Sequence, residues 1–210
     1  MSYVVQGTGA WLAARAGKLT ASRMADAMDR KKDGSSSAKR ENLLKELLAE
    51  RVTGESVTHY VSPEMKHGIE FEPVAKGEYE EETGIILRPA PFFDHPTIEW
   101  FGATPDALIG ADTVVEIKCP KTATHMGWIM AKSAEPPVEY QPQILAQLAC
   151  TRRRKARFIS FDPRIAGPRR MMVVDWEPDP AEIAAVEGAA LDFLAELDEM
   201  FEQFTTTEPA

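Results

Sequence analysis

Apolar and polar positions along this chain of 210 residues follow first a helical and then a strand period. Leu43, Leu44, Leu47 and Leu48 recur at helical spacing and predict a helix over 38–52. The segment before it, through Met28, reads as a helix pair, with Thr20-Ala21-Ser22 capping the second member. A polar, Gly/Ser-rich loop spans 30–37. Residues 61–68 read as another loop, and Glu72-Pro73 opens a helix reaching about Thr83, because proline is tolerated in a first helical turn. The period then shortens to two. Residues 85–87, 100–103, 107–109 and 114–118 read as strands of a curved, mainly antiparallel segment. A helix over 141–150 leads into strands at 156–161 and 171–176 and a long amphipathic acidic helix at 180–204. With no internal repeat, we expect one domain over 1–210, its core at 10–176 and its C-terminal helix at 180–204.

The strand at 114–118 carries candidate chemistry. Side chains alternate along a strand, so Glu116 and Lys118 share one face while Val115 and Ile117 take the other. Asp106 ends a Pro-Asp turn ten residues before Glu116, at hairpin distance. Folding it back would set two hard oxygen ligands beside an ammonium group, which is equipment for holding Mg²⁺ and cutting a phosphodiester. An acid-x-Lys pair alone is the pattern of a solvated face. Here Val114-Val115 before it and Cys119-Pro120 after it mark a buried strand, where charges need a reason to exist.

In their wider context these residues resemble a known family. Pro105-Asp106 followed by Glu116-Ile117-Lys118 is similar to the PD-(D/E)xK nuclease signature. With their neighbours these make five motifs in order: Trp11 through Ser22 as W-x-x-x-R-x-G-x-x-T-A-S, Gly68 through Pro73 as G-x-x-x-E-P, Thr104-Pro105-Asp106, Glu116 through Pro120, and Tyr140 through Gln147 as a glutamine-bearing helix. Together they resemble the lambda exonuclease and YqaJ-type viral recombinase branch. The resemblance implies an α/β fold with a PD-(D/E)xK (restriction-endonuclease-like) core, a central mixed curved sheet flanked by helices. It implies a phosphodiesterase of the alkaline exonuclease type: a Mg²⁺-dependent 5′→3′ enzyme that degrades one strand of linear double-stranded DNA to 5′-mononucleotides and leaves a 3′ overhang. Mn²⁺ is the expected substitute metal. A single-strand annealing protein and a ring-shaped homotrimer are the partners it implies, in a bacterial cytoplasm and on a phage or prophage gene.

The family pattern also distributes roles. Asp106 and Glu116 would bind the metal, with the Ile117 backbone carbonyl completing the protein share, and Lys118 would stand near the attacking water and stabilise developing negative charge. Glu72 would be a further carboxylate near the metal, competing with a plain helix-capping role, and Glu70 is the alternative if the register shifts by two. Arg15 and Ser22 would bind the terminal 5′-phosphate of the DNA. Gln143 would position substrate, with Gln141 and Gln147 left open as alternatives. Met65 would wedge the end base pair or simply pack inward.

Composition narrows the classes. The net charge of −9 is awkward for DNA binding, but acid concentrates in the C-terminal third and base in 15–40 and at Arg152-Arg153-Arg154-Lys155. That basic run either tracks a DNA backbone or is a solvated face. Exposed aromatics near Phe92-Phe93 and the apolar stripe of the C-terminal helix are candidate contacts between subunits. Two isolated cysteines, Cys119 and Cys150, exclude a disulfide framework and an iron–sulfur cluster with about four cysteine ligands. His59, His67, His95 and His125 lack metal-binding spacing. No stretch is long and apolar enough to cross a membrane, and no signal-peptide pattern is present. An endonuclease, or a catalytically silent DNA-binding module on the same fold, are the competing classes.

Overall fold

Helices frame two small sheets, and the sequence shows why each boundary falls where it does. A computed structural model of the chain describes residues 7–57 and 62–206. In order these form α1 (Gly9–Arg15), β1 (Leu19–Thr20), a 3-10 turn (Ala21–Arg23), α2 (Met24–Met28), α3 (Ala38–Thr53) and α4 (Pro63–Thr83). Then come β2 (Phe93–Asp94), β3 (Phe101–Ala103), β4 (Ala107–Ile109), β5 (Thr113–Lys118), α5 (Thr122–Ala131) and α6 (Gln141–Thr151). The chain closes with β6 (Lys155–Phe161), β7 (Met171–Trp176) and α7 (Pro180–Thr206). Ser37 and Ser62 cap α3 and α4 by accepting from the N–H groups of Arg40 and Met65, each at 3.2 Å. Gly54 and Gly84, at φ 71° and 69°, end the same two helices in the left-handed conformation that glycine adopts freely.

The larger sheet has the order β4-β5-β6-β7. Its central pair β5/β6 is parallel, with Glu116 opposite Phe158, and both outer pairs are antiparallel. A parallel pair needs a long crossover, supplied here by α5 and α6. The smaller sheet has the order β1-β3-β2, with Thr20 of β1 opposite Gly102 of β3. β5 is buried on both faces, so its alternation sorts residues between two apolar clusters. Val114 packs with Phe158, Ile144, Leu148 and the α7 residues Phe193 and Leu197. Val115 and Ile117 pack with Ile159, Phe161 and the α4 residues Ala75 and Tyr79. Glu116 thus lies on the α6 side, sharing a face with Lys118 as the alternation predicts.

Several expected elements change. Residues 62–68 are not a loop: α4 begins at Pro63, and Val61 lies outside the described residues, as does His59. Pro63, rather than Pro73, occupies the permissive first turn. Pro73 sits mid-helix, where it cannot bond the carbonyl of Ile69; both residues are exposed, so water can satisfy that carbonyl. Residues 85–87 form no strand. The Leu87 N–H goes to the Glu80 carboxylate at 2.6 Å and Pro89 has no N–H, leaving a single bridge between Arg88 and Leu108. The N-terminal pair is interrupted by β1, and Thr20 makes no capping bond to the turn that follows. Phe92 and Phe93 are half-buried rather than exposed: Phe93 joins the larger core cluster, and the Phe92 ring covers Gly102. α5 and the two-residue β2 were not anticipated.

α7 also accounts for part of the acidic balance. Glu196 and Asp198 turn inward to Arg40 and Arg51 of α3, the former at 2.6 Å, and Glu187 meets the buried His95 at 2.9 Å. Among the described residues no helix is long and apolar enough to cross a membrane.

Candidate active site

A cavity of about 470 Å³ opens where β5 ends, between α1, α4 and α6. Its walls include Asp106, Glu116, Ile117, Lys118, Glu72, Gln143, Arg15 and Ser22, gathered from five separate motifs, together with Met65, which lies outside them. Glu70 is exposed and is not part of this wall. Gln141 turns toward the Pro136 carbonyl at 3.0 Å.

At the floor lies Glu116, 1% exposed. A carboxylate buried this deeply must be satisfied by donors, and three reach it. Lys118 Nζ and Gln143 Nε2 donate to Oε1 at 2.5 and 2.6 Å, and Gln147 Nε2 donates to Oε2 at 2.6 Å. Asp106 comes back along the β4/β5 hairpin, and its Oδ2 accepts the Ile117 N–H at 2.7 Å. Burial, with Glu116 and Glu72 close by, pushes the Asp106 carboxyl well above the usual range. Glu72 is held by Lys76 one turn later, at 2.7 Å. It lies deep inside α4 rather than at a helix start, which removes the capping role weighed for it.

Lys118 is electrostatically fixed. Burial works against its charge, but Glu116 and Asp106 overcome this and hold it above the ordinary lysine range. Its ammonium also lies 4.9 Å from the centre of the Tyr140 ring. It is thus held as a cation and a hydrogen-bond donor beside the two carboxylates. The neighbouring Cys119 thiol is pushed up to about 12 by burial and by Glu72 and Asp106, which leaves it unreactive.

On the opposite wall, Arg15 stacks over Trp11 at 4.0 Å and donates to the Thr20 hydroxyl at 3.3 Å, which lies 3.4 Å from Ser22 Oγ. Trp11 Nε1 in turn bonds Thr104 at 3.1 Å, joining this wall to the Thr104-Pro105-Asp106 turn. Among the described residues no carboxylate pairs with Arg15, whereas nearby Arg23 is neutralised by Glu46 at 2.6 Å. Burial and the Arg23 charge push the Arg15 pKa downward, and Glu50 opposes them. Met65 is half exposed at the cavity rim, beside Glu64, whose carboxylate pairs with Lys121 at 2.9 Å.

The basic run Arg152 to Lys155 lies elsewhere. The register sets Lys155 opposite Thr113 and Ser160 opposite Lys118, so the run is at the far end of the sheet, roughly 17 Å along the strand. There Arg153 donates to the Gly110 and Thr113 carbonyls and Arg154 nears Asp112.

A family model described as the YqaJ-like viral recombinase domain matches residues 10–154, well over half of the chain. The chain belongs to the YqaJ-like viral recombinase family. Among solved structures it is similar to the alkaline exonuclease LHK-Exo from Laribacter hongkongensis, at 40% identity and TM-score 0.85 over 94% of this chain and 96% of that one. The complex of LHK-Exo with dAMP matches equally well. A phage-related exonuclease from Haemophilus somnus 129PT shares the fold at TM-score 0.70 and 14% identity, over 89% of this chain and 96% of the other. No curated protein matches. The fold is thus the PD-(D/E)xK α/β core expected from the motifs.

For this YqaJ-family chain, sequence motifs leave out some of the cavity wall. Thr20 and Trp11 stand inside the quoted N-terminal motif, yet their contacts to Arg15 and Thr104 appear only when α1 meets the β3–β4 turn. Tyr140 and Glu64 carried no separate signal. The donor set suits a hard divalent ion: Asp106 and Glu116 present oxygens in one cavity, and the like charges that raise the Asp106 pKa are the condition a cation relieves. Among the described residues no three acidic, His or Cys side chains close a metal site on their own. Mg²⁺ requires only one or two protein carboxylates, water and phosphate supplying the rest.

Proposed function

We propose that this chain is a 5′→3′ exonuclease that degrades one strand of linear double-stranded DNA to 5′-mononucleotides with Mg²⁺, leaving a 3′ overhang for recombination by single-strand annealing. The observation that carries this is the shared cavity: the carboxylate–lysine cluster and the Arg15–Thr20–Ser22 wall face the same space. An enzyme that starts at a DNA end needs both a hydrolytic centre and a place for the terminal phosphate. The relative at 40% identity is an alkaline exonuclease and was captured with dAMP, a deoxynucleoside monophosphate of the product class proposed here.

Asp106 and Glu116, with the Ile117 carbonyl, would hold Mg²⁺, and Mn²⁺ would substitute. When bound, the ion supplies Lewis acidity toward a phosphoryl oxygen. The chain's own groups do the rest. Lys118, kept protonated by its carboxylate neighbours, places positive charge where the phosphorane gains negative charge. Glu72 adds a carboxylate facing the same space, and Gln143, which bonds Glu116, would position substrate there. Arg15, Ser22 and Thr20 would take the 5′-phosphate by charge-assisted bonds. Met65, half exposed at the rim, would press on the end base pair. A homotrimer around the duplex and an annealing-protein partner complete the proposal, with the enzyme encoded by a phage or prophage and acting in a bacterial cytoplasm.

Digestion of linear duplexes bearing 5′-phosphate or 5′-hydroxyl ends, beside closed circles, tests it, with Lys118→Ala as control. We expect rapid loss of the 5′-phosphorylated strand, abolished in the variant. Cutting of circles would make the protein an endonuclease, and inertness on every substrate would make it a silent binding module.

A further inference from the structure

The two glutamines of α6 do different jobs. Gln143 lines the cavity and is open to whatever enters it, whereas Gln147, one helical turn further, is fully buried beneath Glu116. Its amide can point only one way. A carboxylate accepts and never donates when ionised, so the NH₂ group must face Glu116 and the carbonyl must face away. That carbonyl, Oε1, is buried and has no hydrogen-bond partner among the described residues. A core position that leaves an amide oxygen unsatisfied costs stability, and an apolar side chain of equal length would avoid the cost. The chain keeps the amide nonetheless, and its one bond, at 2.6 Å, goes to Glu116 Oε2.

The other oxygen of Glu116 is shared by Gln143 and Lys118. Both of these face the cavity, so a bound substrate or ion can draw them away. Gln147 is not open to the same pull, because it is fully buried and is not part of the cavity wall. Of the three donors to the Glu116 carboxylate, it alone is closed off from the cavity.

We infer that Gln147 is a positioning residue that holds the Glu116 carboxylate in the orientation needed to ligate a divalent cation, while Gln143 serves substrate. This rests on the metal-dependent reading above and extends it from the ligands to the group that aims one of them. Partners that orient a ligand carboxylate from outside typically govern metal affinity by roughly 10–100-fold.

Calorimetric titration of the full-length protein with Mn²⁺ alone, in the absence of DNA, is the test. Gln147→Met keeps the length and apolar stem but removes the amide, and Gln147→Asn withdraws it by one methylene. We expect Mn²⁺ affinity to fall by roughly 10–100-fold in both. Without metal both variants should stay folded but melt lower, because Glu116 Oε2 loses a buried donor, while binding of a 5′-phosphorylated duplex in EDTA should stay near wild type. Gln143→Met should show the opposite balance, with weakened duplex binding and a smaller change in Mn²⁺ affinity. Wild-type Mn²⁺ affinity in a folded Gln147→Met protein would overturn the inference, and so would failure of both Gln147 variants to fold, since that would make the residue purely structural. Absence of Mn²⁺ binding by the wild-type protein would overturn the metal-dependent function itself, an outcome distinct from the others.

Discussion

Arg15 donates to the hydroxyl of Thr20 at 3.3 Å, and among the described residues it meets no carboxylate at ion-pair distance. A half-buried guanidinium whose partner is a neutral hydroxyl keeps its charge for an incoming anion. The Trp11 ring beneath it fixes the plane of the fork. Arg15→Ala should therefore erase the preference for 5′-phosphorylated over 5′-hydroxyl ends. Loss of a charge-assisted bond of about 1.5–3 kcal/mol corresponds to a rise in KM of roughly 10–100-fold for the phosphorylated duplex. Little change is expected for the hydroxyl duplex. Steady-state digestion of the two substrates side by side checks this, and equal losses on both would place Arg15 in the fold rather than at the phosphate.

Asp106 sets function against stability. Its carboxyl is raised well above the usual range, chiefly by burial and then by Glu116 and Glu72. The folded state thus holds that proton more tightly than the unfolded chain, whose carboxyl titrates near about 4. Folding stability contributed by this group is present below that value and is lost as pH rises through the folded pKa. At neutral pH without metal, Asp106 is a cost. Asp106→Asn removes the charge and keeps an oxygen for the Ile117 N–H, so it should melt higher than wild type in EDTA. For a chain of this size the expected gain is roughly 2–4 °C per kcal/mol. The same variant should lose nuclease activity and any rise in melting temperature on adding Mg²⁺. Scanning calorimetry with EDTA and with Mg²⁺ reads both, and a lower melting point in EDTA would refute the electrostatic account.

Glu72 offers a separation of roles that its position in α4 makes sharp. It lies far from the helix N-terminus, where neither capping nor the helix dipole acts. Its i,i+4 partner Lys76 forms a half-exposed pair of the kind that contributes about 0.3–0.5 kcal/mol. Glu72→Gln should therefore leave melting within about 2 °C of wild type in EDTA. Activity at limiting Mg²⁺ should nevertheless fall by at least ~10-fold, the scale of a lost carboxylate interaction near a metal. Thermal melts paired with a Mg²⁺ titration of rate check it, and an unchanged Mg²⁺ dependence would remove Glu72 from the centre.

Much of this site is legible in the sequence because β5 obeys a simple rule. Period-two alternation puts Glu116 and Lys118 together and leaves Val115 and Ile117 to the other core, and the structure follows it. The helix carrying Glu72 was harder. Two prolines ten residues apart each look like a helix start, and only the exposure of Pro73 and Ile69 explains why the helix runs through the second. Gln143 and Gln147 share one helix face, so no periodicity could divide their roles; depth beneath Glu116 does so. β2 is two residues long and exists only because β3 lies beside it, which no local pattern encodes. The basic run at 152–155 reads equally as a DNA-backbone track or a solvated face, and only the register of β5 and β6 shows that it lies at the end of the sheet away from the cavity.

Gly102 shows how the small sheet supports the large one. An added Cβ would strike the Phe92 ring and approach the Phe93 carbonyl oxygen to 2.9 Å, and that oxygen belongs to the backbone and cannot step aside. The same residue pairs with Thr20 across β1/β3 and stands two positions before Thr104, which bonds Trp11. Strain at Gly102 is thus transmitted to the Arg15 wall of the cavity more directly than to Glu116. Overpacking of this kind costs about 1–3 kcal/mol, so Gly102→Ala should melt lower by roughly 2–10 °C. In the folded fraction, KM for 5′-phosphorylated duplex should rise while Mn²⁺ affinity, read by calorimetry, stays near wild type. Adding Phe92→Leu relieves the ring clash but not the carbonyl contact, so the double variant should recover part of the lost stability and not all of it. A full recovery would show that the ring alone enforces glycine here. No recovery would assign the whole cost to the β2–β3 backbone spacing.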